Sequence, residues 1–173
     1  MLLASGVNFG FRRTIPHMLG VGLGFGFMLL CVGFGLGQVL LAVPGLLMTL
    51  KVAGALYLLY LAYRIARSGP IEAGGEASAQ PITFLQAAAF QWVNPKAWMM
   101  AVTAMSVYTL PASYMNSMLV VVMVFTLVNL PSVSVWCGIG VSLRRWLSDS
   151  FRLRAFNWTM AALLVASLWM MLL

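Results

Sequence analysis

The sequence predicts an all-α membrane protein: a polytopic helix bundle of five complete spans with the tail of a sixth at its start. Three observations carry that expectation. Of 173 residues, 62% are hydrophobic, whereas a soluble domain averages about 45–50% apolar residues. Only 8% are charged, against about 25% in a soluble domain. The apolar residues fall into long runs divided by short arginine clusters and turn-forming residues, and about 20 apolar residues make one span. A soluble enzyme, a disordered chain and a disulfide scaffold are all excluded by this composition. The whole chain, residues 1–173, reads as one membrane domain.

Residues 1–11 form a short apolar piece ending in a turn at Asn8-Phe9-Gly10. Arg12 and Arg13 follow, and then a first long run over about 16–43 that Pro44-Gly45 closes. The second run covers about 46–66 and ends at Arg64 and Arg67. Residues 67–82 read as a polar loop carrying Glu72 and Glu76. The third run, about 83–110, is interrupted at Asn94-Pro95-Lys96 and ended by Pro111. The fourth covers about 114–143 and stops at Arg144 and Arg145. A basic loop with Asp149, Arg152 and Arg154 precedes the last run, about 155–173.

Alternating these runs across a bilayer puts eight of the ten cations on one side, while the loops around Pro44 and Pro111 carry none. The positive-inside rule makes the basic side cytoplasmic and leaves Leu173 outside. Tyr60, Tyr63 and Trp146 fall near the inner ends, Tyr114 and Trp169 near the outer ones, as interfacial aromatics do. The net charge of +7 is therefore topological, and no nucleic-acid partner is expected. Cys31 and Cys137 lie inside apolar runs and read as small buried residues rather than a disulfide. His17, alone at a helix start, reads as interfacial. With no cluster of His, Asp, Glu or Cys and no Ser-His-Asp set, the sequence offers no catalytic residue, metal site or cofactor site.

Glycines four apart (Gly20/Gly24, Gly22/Gly26, Gly33/Gly37) expose backbone where another helix, of this chain or of a second copy, can approach closely. They do not form G-x-G-x-x-G, and no strand precedes them. A homo-oligomer through this helix is one expectation.

Two cations remain, both inside apolar runs. Lys51 stands about 6 residues, roughly 9 Å, from the outer end of its helix, where its stem can snorkel or reach a cavity. Lys96 is about 13 residues from the inner end, roughly 20 Å into a core about 30 Å thick. An ionisable residue at that depth must face water, a partner or a substrate. Pro95 removes an N–H, and Asn94 before it reads as an N-cap with proline at the first helical position. The third span is thus expected to be two half-helices meeting at Asn94. In lipid such a break survives only where protein or a watery cavity covers it. Asn129 and Pro131 lie at similar depth in the next run and suggest a second irregularity facing the same site. Gln91, Asn94, Pro95, Lys96 and Asn129 are the candidate substrate residues, with Lys51 and Pro131 as cavity candidates.

At these residues the sequence resembles the LysE/RhtB family of amino-acid exporters. The resemblance rests on SGVNFGFRRTIPHMLGVGLGF at 5–25, LKVAGALYLLYLAYRIAR at 50–67 and FLQAAAFQWVNPKAWMM at 84–100, in the family's order. It implies a six-helix bacterial inner-membrane carrier, built as an inverted three-plus-three repeat, that exports an amino acid or a derivative. It also implies a Pro-Gly-Pro motif in a first helix, pseudo-symmetric to the Asn94-Pro95 break. That motif is absent here, and the chain begins just downstream of its place. An upstream start codon would supply it; otherwise the chain is a truncated relative. The rival expectation, from a different class, is an accessory or scaffold bundle that transports nothing.

Overall fold

The computed structural model describes residues 1–68 and 80–172. The polar loop with Glu72 and Glu76 lies outside the described residues. Helix α1 (Leu2–Cys31) is interrupted by Gly10 at φ 78° and ψ 173°, a backbone region open to glycine and strained for other residues. The sequence placed a turn here, and Gly10 supplies it. It divides α1 into a short arm, residues 2–9, folded back on a long arm, residues 11–31. A π-helical turn (Val32–Leu36) follows, with Gly35 at φ 107°, and then α2 (Gly37–Ala42) and α3 (Pro44–Ala66). The chain resumes with α4 (Phe84–Val93) and α5 (Pro95–Tyr108). A 3₁₀ turn (Pro111–Ser113) leads to α6 (Tyr114–Leu143) and finally α7 (Ser150–Leu172). Among the described residues, three stretches are long and apolar enough to cross a membrane: Leu2–Leu40, Gly45–Ala66 and Pro111–Leu143.

The glycines of α1 explain its central place. A methyl group at Gly20 would meet the Phe84 carbonyl oxygen, and one at Gly24 would stand 2.8 Å from Ala88 Cα. At Gly22 it would lie 2.5 Å from Leu130 Cδ2, and at Gly26 it would strike Thr126. Two glycine rows therefore seat two different helices, α4 on one side and α6 on another. The short arm uses the same device, with Gly6 against the Cys137 carbonyl and Gly140 against Leu3. These faces are filled by the chain itself. At Gly20, Gly22, Gly24 and Gly26 no free approach is left.

Arginine clusters distant in sequence gather at one end. A carbon built at Gly10 would stand 3.3 Å from Arg144 Nη1, which brings the Arg12–Arg13 turn beside Arg144. Asn8 and Asn157 exchange two amide hydrogen bonds, 2.8 and 3.0 Å, and Asn157 also donates to the Ser68 carbonyl beside Arg67. Arg64, Arg67 and Arg152 lie over the rings of Tyr60, Tyr63 and Trp146 at 5.8, 5.1 and 5.5 Å. Asp149 ends that loop by accepting from the N–H groups of Phe151 and Arg152, which caps the start of α7. Between the two ends the outer surface is apolar: Leu127, Val128 and Trp158 are each about two-thirds exposed. Such a band suits lipid rather than water. Both cysteines are free thiols, and Cys137 is fully buried.

Candidate functional site

The break between α4 and α5 begins from its local chemistry. Helix α4 opens with a capping box in which Thr83 Oγ1 accepts from the Gln86 N–H at 3.2 Å and Gln86 Oε1 accepts from the Thr83 N–H at 3.1 Å. It stops at Asn94, which is extended at φ −95° and ψ 105°, as a residue before proline prefers. From that conformation Asn94 Oδ1 accepts the Lys96 N–H at 3.1 Å and caps α5. Pro95 fills the first position of α5, where its missing N–H costs nothing. The Gln91 carbonyl, deprived of its helical donor by the proline, accepts instead from the Asn94 N–H at 3.4 Å. Trp98 Nε1 donates to the Trp92 carbonyl across the break at 2.8 Å, with the two indoles edge to face. Phe27 of α1 lies on Trp92 at 5.9 Å. The break is a built feature, with its freed backbone groups taken up by named partners.

Gln91, Asn94, Pro95 and Lys96 thus meet at one junction. Gln91 is buried, and its side-chain amide donates to the Ala87 carbonyl at 3.2 Å. Lys96 is exposed, on the α5 face that also carries Met99, Met100 and Val107. Among the described residues its ammonium has no hydrogen-bond or ion-pair partner. Lys51 is half-buried on α3, Asn129 half-buried on α6, and Pro131 exposed.

The second expected irregularity is corrected. Helix α6 runs unbroken through Pro131. The residue before this proline is Leu130, seated on Gly22, and no asparagine stands adjacent to cap a new helix. Among the described residues no hydrogen bond joins Asn129 to Asn94. His17 is fully buried, and among the described residues neither ring nitrogen has a hydrogen-bond partner. The short arm covers it, which a local pattern does not reveal.

Sequence reading missed the Trp98–Trp92 bond and the Asn8–Asn157 pair. Asn157 carried a signal, being an uncharged polar residue inside an apolar run, which calls for a hydrogen-bonding partner. A cavity at the arginine-free end also went unnoticed. It measures about 280 Å³ and is lined by Gly33, Gly35, Gly37, Gln38, Ser106, Thr109 and Tyr114. Tyr114 donates to the Gly33 carbonyl there at 2.7 Å. At the basic end, the space between Ser5, Asn8, Arg64 and Ser68 is only about 20 Å³, room for a water and no more.

An apolar helical bundle, a mid-helix break with a capped half-helix, and arginines collected at one end define a multi-helix membrane protein. The match to known families specifies it: the LysE-type translocator model covers residues 1–172, and the chain belongs to that family. It is similar to cysteine/O-acetylserine efflux proteins of Escherichia coli strain K12 and of Shigella flexneri. Each is 38% identical over 112 residues, which is 64% of this chain and 56% of the relative. The match spans little more than half the length of these curated relatives. No solved structure matches the chain.

Proposed function

We propose that the chain exports a small amino acid or a close derivative across the bacterial inner membrane. The observation that supports this most is the capped break at Asn94-Pro95. An amino acid reaches such a site as a zwitterion, and the feature shared by all of them is the carboxylate. The N-terminus of α5 offers backbone N–H groups and a positive dipole end to that group, with Lys96 in the first turn adding charge. Gln91 and Asn129 are proposed as polar neighbours of the pathway, with Lys51 and Pro131 on its margin.

In this reading the chain crosses the bilayer five times. Helices α4 and α5 together form one broken span, α7 is the last span, the arginine end lies in the cytoplasm, and Leu173 lies outside. Cysteine and O-acetylserine, named for the relatives, set the size class of the cargo. The cavity of about 280 Å³ at the other end falls at the small end of ligand sites, which fits cargo of that class leaving outward. A purely scaffolding role finds less support, because the glycine faces that would recruit a partner are occupied within the chain.

Expression in a bacterial host sensitive to excess cysteine tests the proposal. Faster efflux of labelled cysteine and increased resistance are expected. Unchanged efflux from a membrane-inserted, well-expressed protein would contradict it.

A further inference from the structure

The cavity at the arginine-free end is polar but uncharged. Its polar side chains are Gln38, Ser106, Thr109 and Tyr114, and no carboxylate or cation lines it among the described residues. At about 280 Å³ it has room for a small polar guest, whereas the space at the basic end, about 20 Å³, has room for one water. The π-helical turn (Val32–Leu36) supplies one wall. A carbon built at Gly35 in that turn would meet nothing within 4 Å, so this wall is open backbone.

The donors and acceptors of the lining decide which guest fits. Tyr114 gives its O–H to the Gly33 carbonyl at 2.7 Å, and Thr109 Oγ1 donates to the Met105 carbonyl. With both hydrogens engaged, these two oxygens offer only lone pairs. The backbone adds further acceptors. Helix α5 ends at Tyr108, so its last carbonyls leave the helix at this end without helical donors. The Leu110 N–H, which a longer helix would aim at the Ser106 carbonyl, donates instead to Ser117 Oγ at 2.9 Å. Position 111, which would serve the Val107 carbonyl, is proline and has no N–H. Neither carbonyl gains another donor among the described turn and loop bonds. The negative end of the α5 dipole has the same sign. Only the Gln38 amide and the Ser106 hydroxyl can donate here, and each also carries an acceptor oxygen. The cavity is acceptor-rich.

We infer that this cavity is a second cargo site, one that recognises the ammonium group of the exported amino acid. This rests on the exporter reading above. A protonated amine brings three N–H donors and no acceptor, which matches a wall of lone pairs free of cations. The break at Asn94-Pro95 has the opposite character, offering a positive helix end and the Lys96 ammonium. Helix α5 therefore turns its positive end to one site and its negative end to the other. Its 14 residues separate the two by about 21 Å at 1.5 Å per residue. The amine and the carboxylate of an amino acid share one carbon atom, so one cargo molecule cannot bridge that distance. The sites are occupied in succession: the carboxylate is held at the break, and the ammonium at the outer cavity before release.

Two thiols that each carry half of cysteine's charge separate the sites. Cysteamine has the ammonium without the carboxylate, and 3-mercaptopropionate has the carboxylate without the ammonium. Binding of each, ³⁵S-labelled and kept reduced near neutral pH, is measured by equilibrium dialysis against the full chain in phosphatidylcholine nanodiscs, with empty nanodiscs as the blank. Wild-type protein should bind both, and unlabelled cysteine should displace both. Thr109→Val keeps the side-chain shape and removes the oxygen. It should weaken cysteamine about tenfold, the scale of one hydrogen bond to a charged group, while 3-mercaptopropionate binds as before. Thr109→Ser keeps the hydroxyl and should bind cysteamine like wild type. Should the valine variant fold poorly, Gln38→Leu, at an exposed position, gives a second reading and should also weaken cysteamine alone. Cysteamine binding that is unchanged in both variants, or absent from a wild-type protein that binds 3-mercaptopropionate, would overturn the assignment. A wild-type protein that binds neither thiol nor cysteine would instead overturn the exporter reading, and the outer site with it.

Discussion

Asn94-Pro95 and Asn129-Leu130-Pro131 present the same residue types, yet one divides a helix and the other leaves it intact. The difference lies in a single position. At the first site asparagine immediately precedes proline, so it is extended and its side chain caps the following helix. At the second, Leu130 intervenes, stays helical and fits over Gly22. The Ser134 hydroxyl donates to the Leu130 carbonyl at 2.8 Å, and α6 stays pressed on α1 through Thr126, Leu130 and Cys137. Proline removes one hydrogen bond in either case. Whether the helix breaks depends on what replaces that bond and what holds the two halves.

The glycine rows of α1 offer the sharpest way to separate the two sites. Gly20→Ala drives a methyl into the Phe84 carbonyl, a backbone atom that moves only if α4 moves. It should destabilise the protein by about 1–3 kcal/mol, read as a lower thermal unfolding midpoint in detergent. Gly22→Ala meets the far end of the Leu130 side chain, which can turn aside, and should cost less than half as much. Equal losses would mean that the two contacts are alike and that the α4 side is not the stiffer support.

Removal of the cap should have the next largest effect. Asn94→Ala should cost about 1 kcal/mol, whereas Asn129→Ala, with no described hydrogen bond to lose, should stay within about 0.5 kcal/mol. Denaturant titration of both variants decides this, and the comparison fails if Asn129→Ala is the more damaging. A subtler probe is Trp98→Phe, which keeps a ring against Trp92 but deletes the donor to its carbonyl. About 0.5–1.5 kcal/mol should be lost. Pro131→Ala should fall at the bottom of the scale, neutral or slightly stabilising, because it restores an N–H inside a helix that is already continuous.

What was legible in the sequence was local. The glycine turn before Arg12, the N-cap at Asn94, the proline at the first position of α5 and the four-residue glycine spacing each depend on a few adjacent residues. The arginine clusters, separately legible, do meet at one end of the fold. What was not legible depended on contacts across the chain. The seat of Leu130, the residue before Pro131, on Gly22 joins positions more than a hundred apart. The burial of His17 is decided by a folded-back arm, and the Asn8–Asn157 pair joins residues 149 positions apart. The π-helical turn at Val32–Leu36 hinges on the φ of Gly35, and a run of alternating glycines does not say which of them will take that conformation. At the candidate site the break could be read, whereas the continuity of α6 beside Asn129 could not.

The central claim is that the α4–α5 break, with Lys96 at the start of α5, holds the cargo carboxylate. It is tested most directly by labelled-cysteine efflux from cells carrying Lys96→Met or Lys51→Met at matched membrane abundance. Methionine keeps most of lysine's volume and removes its charge. Efflux should fall to that of cells without the protein for Lys96→Met, and Lys96→Arg should recover little, because a planar fork does not replace a compact ammonium. Lys51→Met should leave efflux near wild type. Wild-type efflux from a well-expressed Lys96→Met variant would contradict the account and leave the Asn94 break as a structural joint.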